Sequence, residues 1–242
     1  MTERISETSP LFKARMGGFC WLMCFLTSIY GLIVNSRLVV PRDAGATAAN
    51  LLAHEAFFRS GTAALLISTA FYVAATLFIY ELLKPVNGSL SLLAAFFSLV
   101  GCAVGALSCL FDFAPFVLLK GTPSLGVFTA EQLQALAYMF LVVRARANDI
   151  GLVFFGLHCL GVGYLILRST LLPPLIGGLM MFAGVGWLTF LSPPLANTLA
   201  PFNMIPGAIG ELSLTLWLLV KGVNVQRWND QAGANFLTQP PT

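Results

Sequence analysis

SGTAALLISTAFYVAATLFIYELL, Ser60 to Leu83, carries one charged side chain, Glu81, close to its end. A helix rising about 1.5 Å per residue needs about 20 apolar residues to cross about 30 Å of hydrocarbon. This stretch supplies them. Five others do so or nearly do: Met16 to Val34, Leu90 to Phe111, Ile150 to Leu167, Leu175 to Leu191 and Asn203 to Val220. Apolar residues make up 57% of the chain and charged residues 10%, against about 25% charged in soluble domains. Too little polar surface exists to cover a globule in water, so the lipid bilayer is the expected solvent and partner. The expected fold is all-α, a bundle of six transmembrane helices.

The net charge of +3 is spread thinly, without a Lys/Arg run, and offers no surface for nucleic acid. Arg4, Lys13 and Arg15 precede the first span like the head of a signal peptide, but its apolar core is too long and no cleavage pattern follows, so it reads as a retained anchor. The expected domains are an N-terminal tail (1–15), one helical domain (16–228) and a polar, disordered tail (229–242). Short connections (Lys84 to Ser89, Arg168 to Pro174) alternate with long ones (Asn35 to Arg59, Lys120 to Asp149), which sorts the two faces. Basic residues crowd the helix ends on the short-loop side, so both termini are expected in the cytoplasm.

The long connections should hold one or two interfacial helices. Asp43 can cap a helix from Ala44 to Phe58. Thr129 and Gln132 form a capping-box pattern ahead of Leu133, Leu136, Ala137 and Phe140 at helical spacing. Because Arg144 and Arg146 cut that apolar run short, Thr129 to Arg146 is expected to lie along the membrane without crossing it. A seventh span is the competing reading.

The stretches RLVVPRDAGATAANLLAHEAFFRSG (Arg37 to Gly61), LLKPVNGSLSLLAAFF (Leu82 to Phe97), FTAEQLQALA (Phe128 to Ala137), DIGLVFFGLHCLGVGYLILRS (Asp149 to Ser169) and GELSLTLWLLVKGVNVQRW (Gly210 to Trp228) resemble a bacterial membrane-protein family known as domain of unknown function 4386. The resemblance implies a polytopic protein of the bacterial plasma membrane and brings no activity, ligand or catalytic residue with it. Arg42 follows Pro41 where the resemblance leads one to expect glycine.

Ionisable side chains deep in a span are functional candidates, because lipid excludes them unless they face protein or water. His158 lies nine residues beyond Asp149 and Glu211 eight beyond Asn203, which puts both about 12 to 14 Å below the same surface. Glu211 shares a face with Gly207, Ala208 and Thr215, and His158 with Gly151, Gly161 and Val162, so a contact between the two is expected. Such a pair could shuttle protons or hold a small polar ligand or cation. It could equally be one interhelical bond that fixes packing.

A second group, His54, Glu55, Asp112 and Asp149, could line an outer vestibule, or could be ordinary headgroup-zone charge paired with Arg59, Arg144 and Arg146. Glu81 is expected to pair locally with Lys84. Gly101 and Gly105 form a GxxxG packing pattern. The cysteines Cys20, Cys24, Cys102, Cys109 and Cys159 read as small buried hydrophobes. No metal-binding or cofactor motif is present, and neither a nucleotide loop nor a hydrolase elbow, so neither metal nor cofactor is expected. The functional expectations are a small-molecule or ion transporter or sensor, an accessory membrane component without catalysis, and a membrane enzyme with an outward-facing site. The sequence does not fix the oligomeric state.

Overall fold

The computed structural model describes residues 9–121 and 125–238, with side chains as far as Gly233. Its elements are α-helices: α1 (Pro10–Leu38), α2 (Ala44–Ala53), α3 (Glu55–Leu83), α4 (Gly88–Ser108), α5 (Leu110–Leu119), α6 (Ala130–Arg168), α7 (Pro174–Leu188), α8 (Pro193–Leu199), α9 (Ile205–Val220) and α10 (Val225–Thr238). Single 3₁₀ turns, Thr189–Leu191 and Phe202–Met204, follow α7 and precede α9. Six helical segments are long and apolar enough to cross a membrane: Pro10–Leu38, Glu55–Leu83, Gly88–Leu119, Ala130–Arg168, Pro174–Leu191 and Phe202–Val220. Large apolar side chains cover much of the surface, and several polar ones lie inside. Leu26, Leu77, Leu107 and Val185 are exposed, whereas Ser98, Thr76, His158, Glu211 and Thr215 are buried. That distribution suits lipid outside and polar contacts between helices.

Several boundaries differ from expectation, and charge is the common reason. α1 begins at Pro10, not Met16, because Ser9 caps it through Phe12 N–H and Pro10 takes the first helical position. Thr129 and Gln132 make the capping box, with Thr129 N–H donating to Gln132 Oε1 (2.9 Å) and Gln132 N–H to Thr129 Oγ1 (3.3 Å). The helix they start does not stop at Arg146. It runs on for 39 residues, about 58 Å, roughly twice the hydrocarbon thickness. Arg144, Arg146 and Asp149 end an apolar run, yet none of them ends a helix, and Arg146 pairs with Asp149 along it (3.1 Å). Thr129 to Arg146 is therefore the first half of the fourth span's helix and no separate interfacial one.

The expected helix from Ala44 to Phe58 is broken at His54, and Asp43 caps its first part through Ala46 N–H (2.8 Å). The expected disordered tail is helical as far as Thr238; residues 239–242 lie outside the described residues. α10 is anchored at its start, where Asn224 Oδ1 caps Arg227 N–H and buried Trp228 donates Nε1–H to the Leu82 carbonyl (3.1 Å). Glu81 pairs with buried Lys13 of α1 (3.2 Å), and not with Lys84, whose ammonium lies over the Tyr80 ring.

The chain divides into two compact units. The first holds residues 1–22, 72–101 and 152–242, and glycine seams organise it. Gly156 meets Gly184, and Gly163 meets Gly177, so α6 and α7 run antiparallel at the closest approach a backbone permits. α9 packs antiparallel on α7, with Gly186 against Asn203 and Pro206, and Gly210 against Leu179 and Ala183. Of the GxxxG pair, Gly101 is buried, while nothing lies within 4 Å of a Cβ built on Gly105.

The second unit holds residues 23–71 and 102–151, with an apolar core of Val34, Leu38, Leu51, Phe58, Phe116 and Leu141. α1 and α3 approach closely where Leu65 fills the space beside Gly31 and Val34 the space beside Gly61. Hydroxyls stitch the same seam, Ser28 to Ser68 and Tyr30 to Ser60. Between α4 and α5 the helix tightens at Cys109, where the Ser108 hydroxyl and the Cys109 thiol both take the Gly105 carbonyl.

Candidate functional site

α9 buries Gly207, Gly210, Glu211, Leu214, Thr215 and Leu218, which is one helical face. Glu211 is its charged member. Trp187 of α7 donates Nε1–H to Glu211 Oε1 at 2.6 Å, and the Cys159 thiol of α6 donates to the same oxygen at 3.7 Å. Trp21 Nε1 of α1 bears on the carboxylate without meeting hydrogen-bond geometry. Thr215 Oγ1 donates to the Glu211 carbonyl (2.8 Å). Every donor is neutral. The ion pairs among the described residues join Lys13, Arg59, Lys120, Arg144 and Arg146 to other carboxylates, and none reaches Glu211.

The local sequence explains how the indole reaches Glu211. Gly207 lies one turn before Glu211, and a Cβ built there would clash with the six-membered ring of the Trp187 indole. Only glycine leaves the notch in which the indole rests. One turn further toward the start of α9, buried Asn203 donates Nδ2–H to Thr189 Oγ1 (3.3 Å), and its Oδ1 is buried with no hydrogen-bond partner among the described residues.

His158 is equally buried but separately held. Its Nδ1 lies 2.9 Å from the Ala94 carbonyl, and since a carbonyl can only accept, Nδ1 carries the proton. Gly161, one turn along α6, makes the reach possible by letting Ala94 come close. Around the ring stand Trp21 (centroids 6.3 Å apart) and Tyr72 (6.1 Å). The expected His158–Glu211 contact is thus replaced by two adjacent sites: no hydrogen bond or ion pair joins them among the described residues, and Trp21 neighbours both. Side-chain direction decided this, because Cys159, one position round the helix, points where His158 was expected to point.

The four vestibule candidates do not form one cluster. Asp112 is buried in α5, accepting from Thr62 Oγ1 (2.9 Å) and lying 2.7 Å from Arg144 Nε, an ion pair whose N–H is not aligned for a hydrogen bond. Glu55 pairs with Arg59 (2.9 Å) and Lys120 (2.6 Å). His54 is exposed with Nδ1 near the Asn50 carbonyl, and Asp149 pairs with Arg146. Arg59, Arg144 and Arg146 are therefore the partners expected of them. No group of three or more His, Cys, Asp or Glu side chains placed to hold a metal occurs among the described residues. A surface cleft of about 350 Å³ lies elsewhere, lined by residues 169–174, Asn224 and Arg227.

Sequence reasoning placed Gly207 on the face of Glu211 but missed Trp187, Cys159 and Trp21 as its neighbours. A signal existed in the paired spacings Gly156/Gly163 and Gly177/Gly184, which match an antiparallel seam and tell which α7 residues face α6.

Six helices long and apolar enough to cross a membrane define a multi-pass, all-helical membrane protein. Within that class the chain belongs to the family described as Domain of unknown function (DUF4386), which matches residues 16–222. It is similar to an uncharacterized protein of Archaeoglobus fulgidus, 25% identical over 144 residues, covering 60% of this chain and 72% of that one. No solved structure matches it.

Proposed function

We propose that this protein is a proton-responsive membrane carrier or sensor in which Glu211 is the group that changes charge. The supporting observation is that Glu211 is buried in the bundle and met by neutral donors, with no basic side chain to answer a negative charge. A carboxylate placed so must either hold its charge on hydrogen bonds or take up a proton, and a proton needs no cavity. α6 brings the Cys159 thiol, which donates to it, with His158 its chain neighbour held on the Ala94 carbonyl, and α1 brings the neutral Trp21. α7 brings no ionisable side chain.

The tight seating of Trp187 over Gly207 favours a second reading, in which Glu211 only ties α6, α7 and α9 together and the protein is an accessory membrane component. Tryptophan emission separates the two, since Trp187 donates directly to Oε1. In liposomes, the first reading expects emission to change reversibly across the physiological pH range and the change to vanish in Glu211→Gln. Emission independent of pH in the unsubstituted protein would rule out proton uptake at Glu211 and leave the packing role.

A further inference from the structure

The face of α9 that holds Glu211 continues toward the helix start as Gly207 and Asn203 at four-residue steps, all three buried. Asn203 and Thr189 form a hydrogen-bonded polar pair at the point where α7 and α9 cross beside Gly186. Asn203 is 5% exposed, and its Oδ1 lacks a hydrogen-bond partner among the described residues. A buried amide oxygen of that kind is costly unless a water molecule satisfies it. The position is suited to one: the Thr189 hydroxyl gives its proton to the Gly186 carbonyl (2.7 Å), so it and Oδ1 both present acceptors to the two hydrogens of a water, beside the Phe202–Met204 turn. Gly207 stands between Asn203 and Glu211 on this face, and the Trp187 indole fills the notch it leaves, with its N–H turned toward Glu211.

We infer that Asn203 and Thr189 form a water site and that Trp187 is the gate between it and Glu211, so that displacing the indole opens a path for water and protons from the start of α9 to the carboxylate. The inference rests on the proton-responsive reading of Glu211 for its purpose, but the gate itself can be tested without it. The hydrogen bond to Oε1 is the latch and the missing Cβ of Gly207 is the seat. Opening exposes Cys159 together with Glu211, because the thiol and the indole meet at the same oxygen.

Cys159 is therefore a native reporter, and the buried Cys20, Cys24, Cys102 and Cys109 are internal controls. The full-length protein in liposomes is treated with a small, charged methanethiosulfonate, and labelling of each cysteine is followed by peptide mass spectrometry. Trp187→Phe keeps the ring and loses the latch; it should raise the labelling rate of Cys159 by about tenfold, the order expected for one lost hydrogen bond to a charged acceptor. The other four should be unchanged. Trp187→Ala removes the gate and should raise it further, and adding Asn203→Leu should reverse part of the gain by making the entrance apolar. If Trp187→Ala unfolds the bundle, all five cysteines react together and the Phe variant decides. Cys159 labelling in Trp187→Phe that equals the unsubstituted rate, or that rises no more than at the other four, overturns the gate. Failure of the emission titration with selective Cys159 labelling intact would remove the proton and keep the path.

Discussion

Two buried carboxylates stand in the two units of this bundle, and they are treated differently. Asp112 in the second unit has a guanidinium 2.7 Å away and a threonine hydroxyl at 2.9 Å. Glu211 in the first has an indole, a thiol and no cation. The Asp112 site is electrically closed, and its removal should register as lost stability. The Glu211 site leaves its charge to be settled by hydrogen bonds or a proton, which makes it the better candidate for a changing state. Partner chemistry separates the two.

The largest expected effect breaks the closed site. Arg144→Leu strands the Asp112 carboxylate in its buried position and should cost about 3 to 5 kcal/mol, while Asp112→Leu with Arg144→Leu should cost much less. Thermal unfolding in detergent measures all three variants. Simple additivity of the single substitutions would mean that the 2.7 Å contact carries no coupling and that the two sites do not differ as described.

Next in size is Gly207→Ala. The added methyl must push the Trp187 ring out of its seat, an overpacking cost of about 1 to 3 kcal/mol. The same unfolding measurement should show the loss, accompanied by a shift of tryptophan emission. An alanine tolerated without either change would place the indole elsewhere. Gly105→Ala, in open space, is the matched control and should be close to neutral.

Glu211→Gln sharpens the contrast from the other side. The amide oxygen can still accept from Trp187 and Cys159, and no cation is left behind, so the loss should stay below about 1.5 kcal/mol. Asp112→Asn, which leaves Arg144 facing a neutral group, should cost more under identical conditions. The reverse order in detergent unfolding would overturn the distinction between an answered and an unanswered charge.

The smallest effect is a gain. Arg42 has φ of 65°, the left-handed region, which costs a side-chain-bearing residue about 1 kcal/mol or more. Arg42→Gly removes that strain at some cost in unfolded-state entropy, for a net stabilisation of up to about 1 kcal/mol. Its backbone N–H can still donate to Tyr138 OH (2.8 Å). A measured destabilisation would mean that the arginine side chain earns its place by a contact of its own.

Six apolar runs that cross a bilayer or nearly do, the capping box at Thr129 and Gln132, the Asp43 cap and the partners Arg59, Arg144 and Arg146 were all legible along the chain. They depend on local hydrogen bonding and on hydrophobic area, both of which are written in residue order. The continuation of α6 through Arg144, Arg146 and Asp149 was not legible. A charge ends an apolar count, but helix hydrogen bonds ignore it when no proline or glycine cap intervenes. The helical tail was hidden for a similar reason, since its polar composition says nothing of the Leu82 carbonyl that holds Trp228.

The sequence by itself determined that this chain carries six stretches apolar enough to sit among lipid, with a histidine and an acid inside two of them. Only the tertiary structure decided their company. Whether His158 or Cys159 meets Glu211 turns on about 100° of rotation around α6, and that rotation is set by glycine seams with α7 and by the approach of Ala94 to Gly161. Those are contacts between residues far apart in the chain, and no local pattern around Glu211 names the tryptophan that binds it.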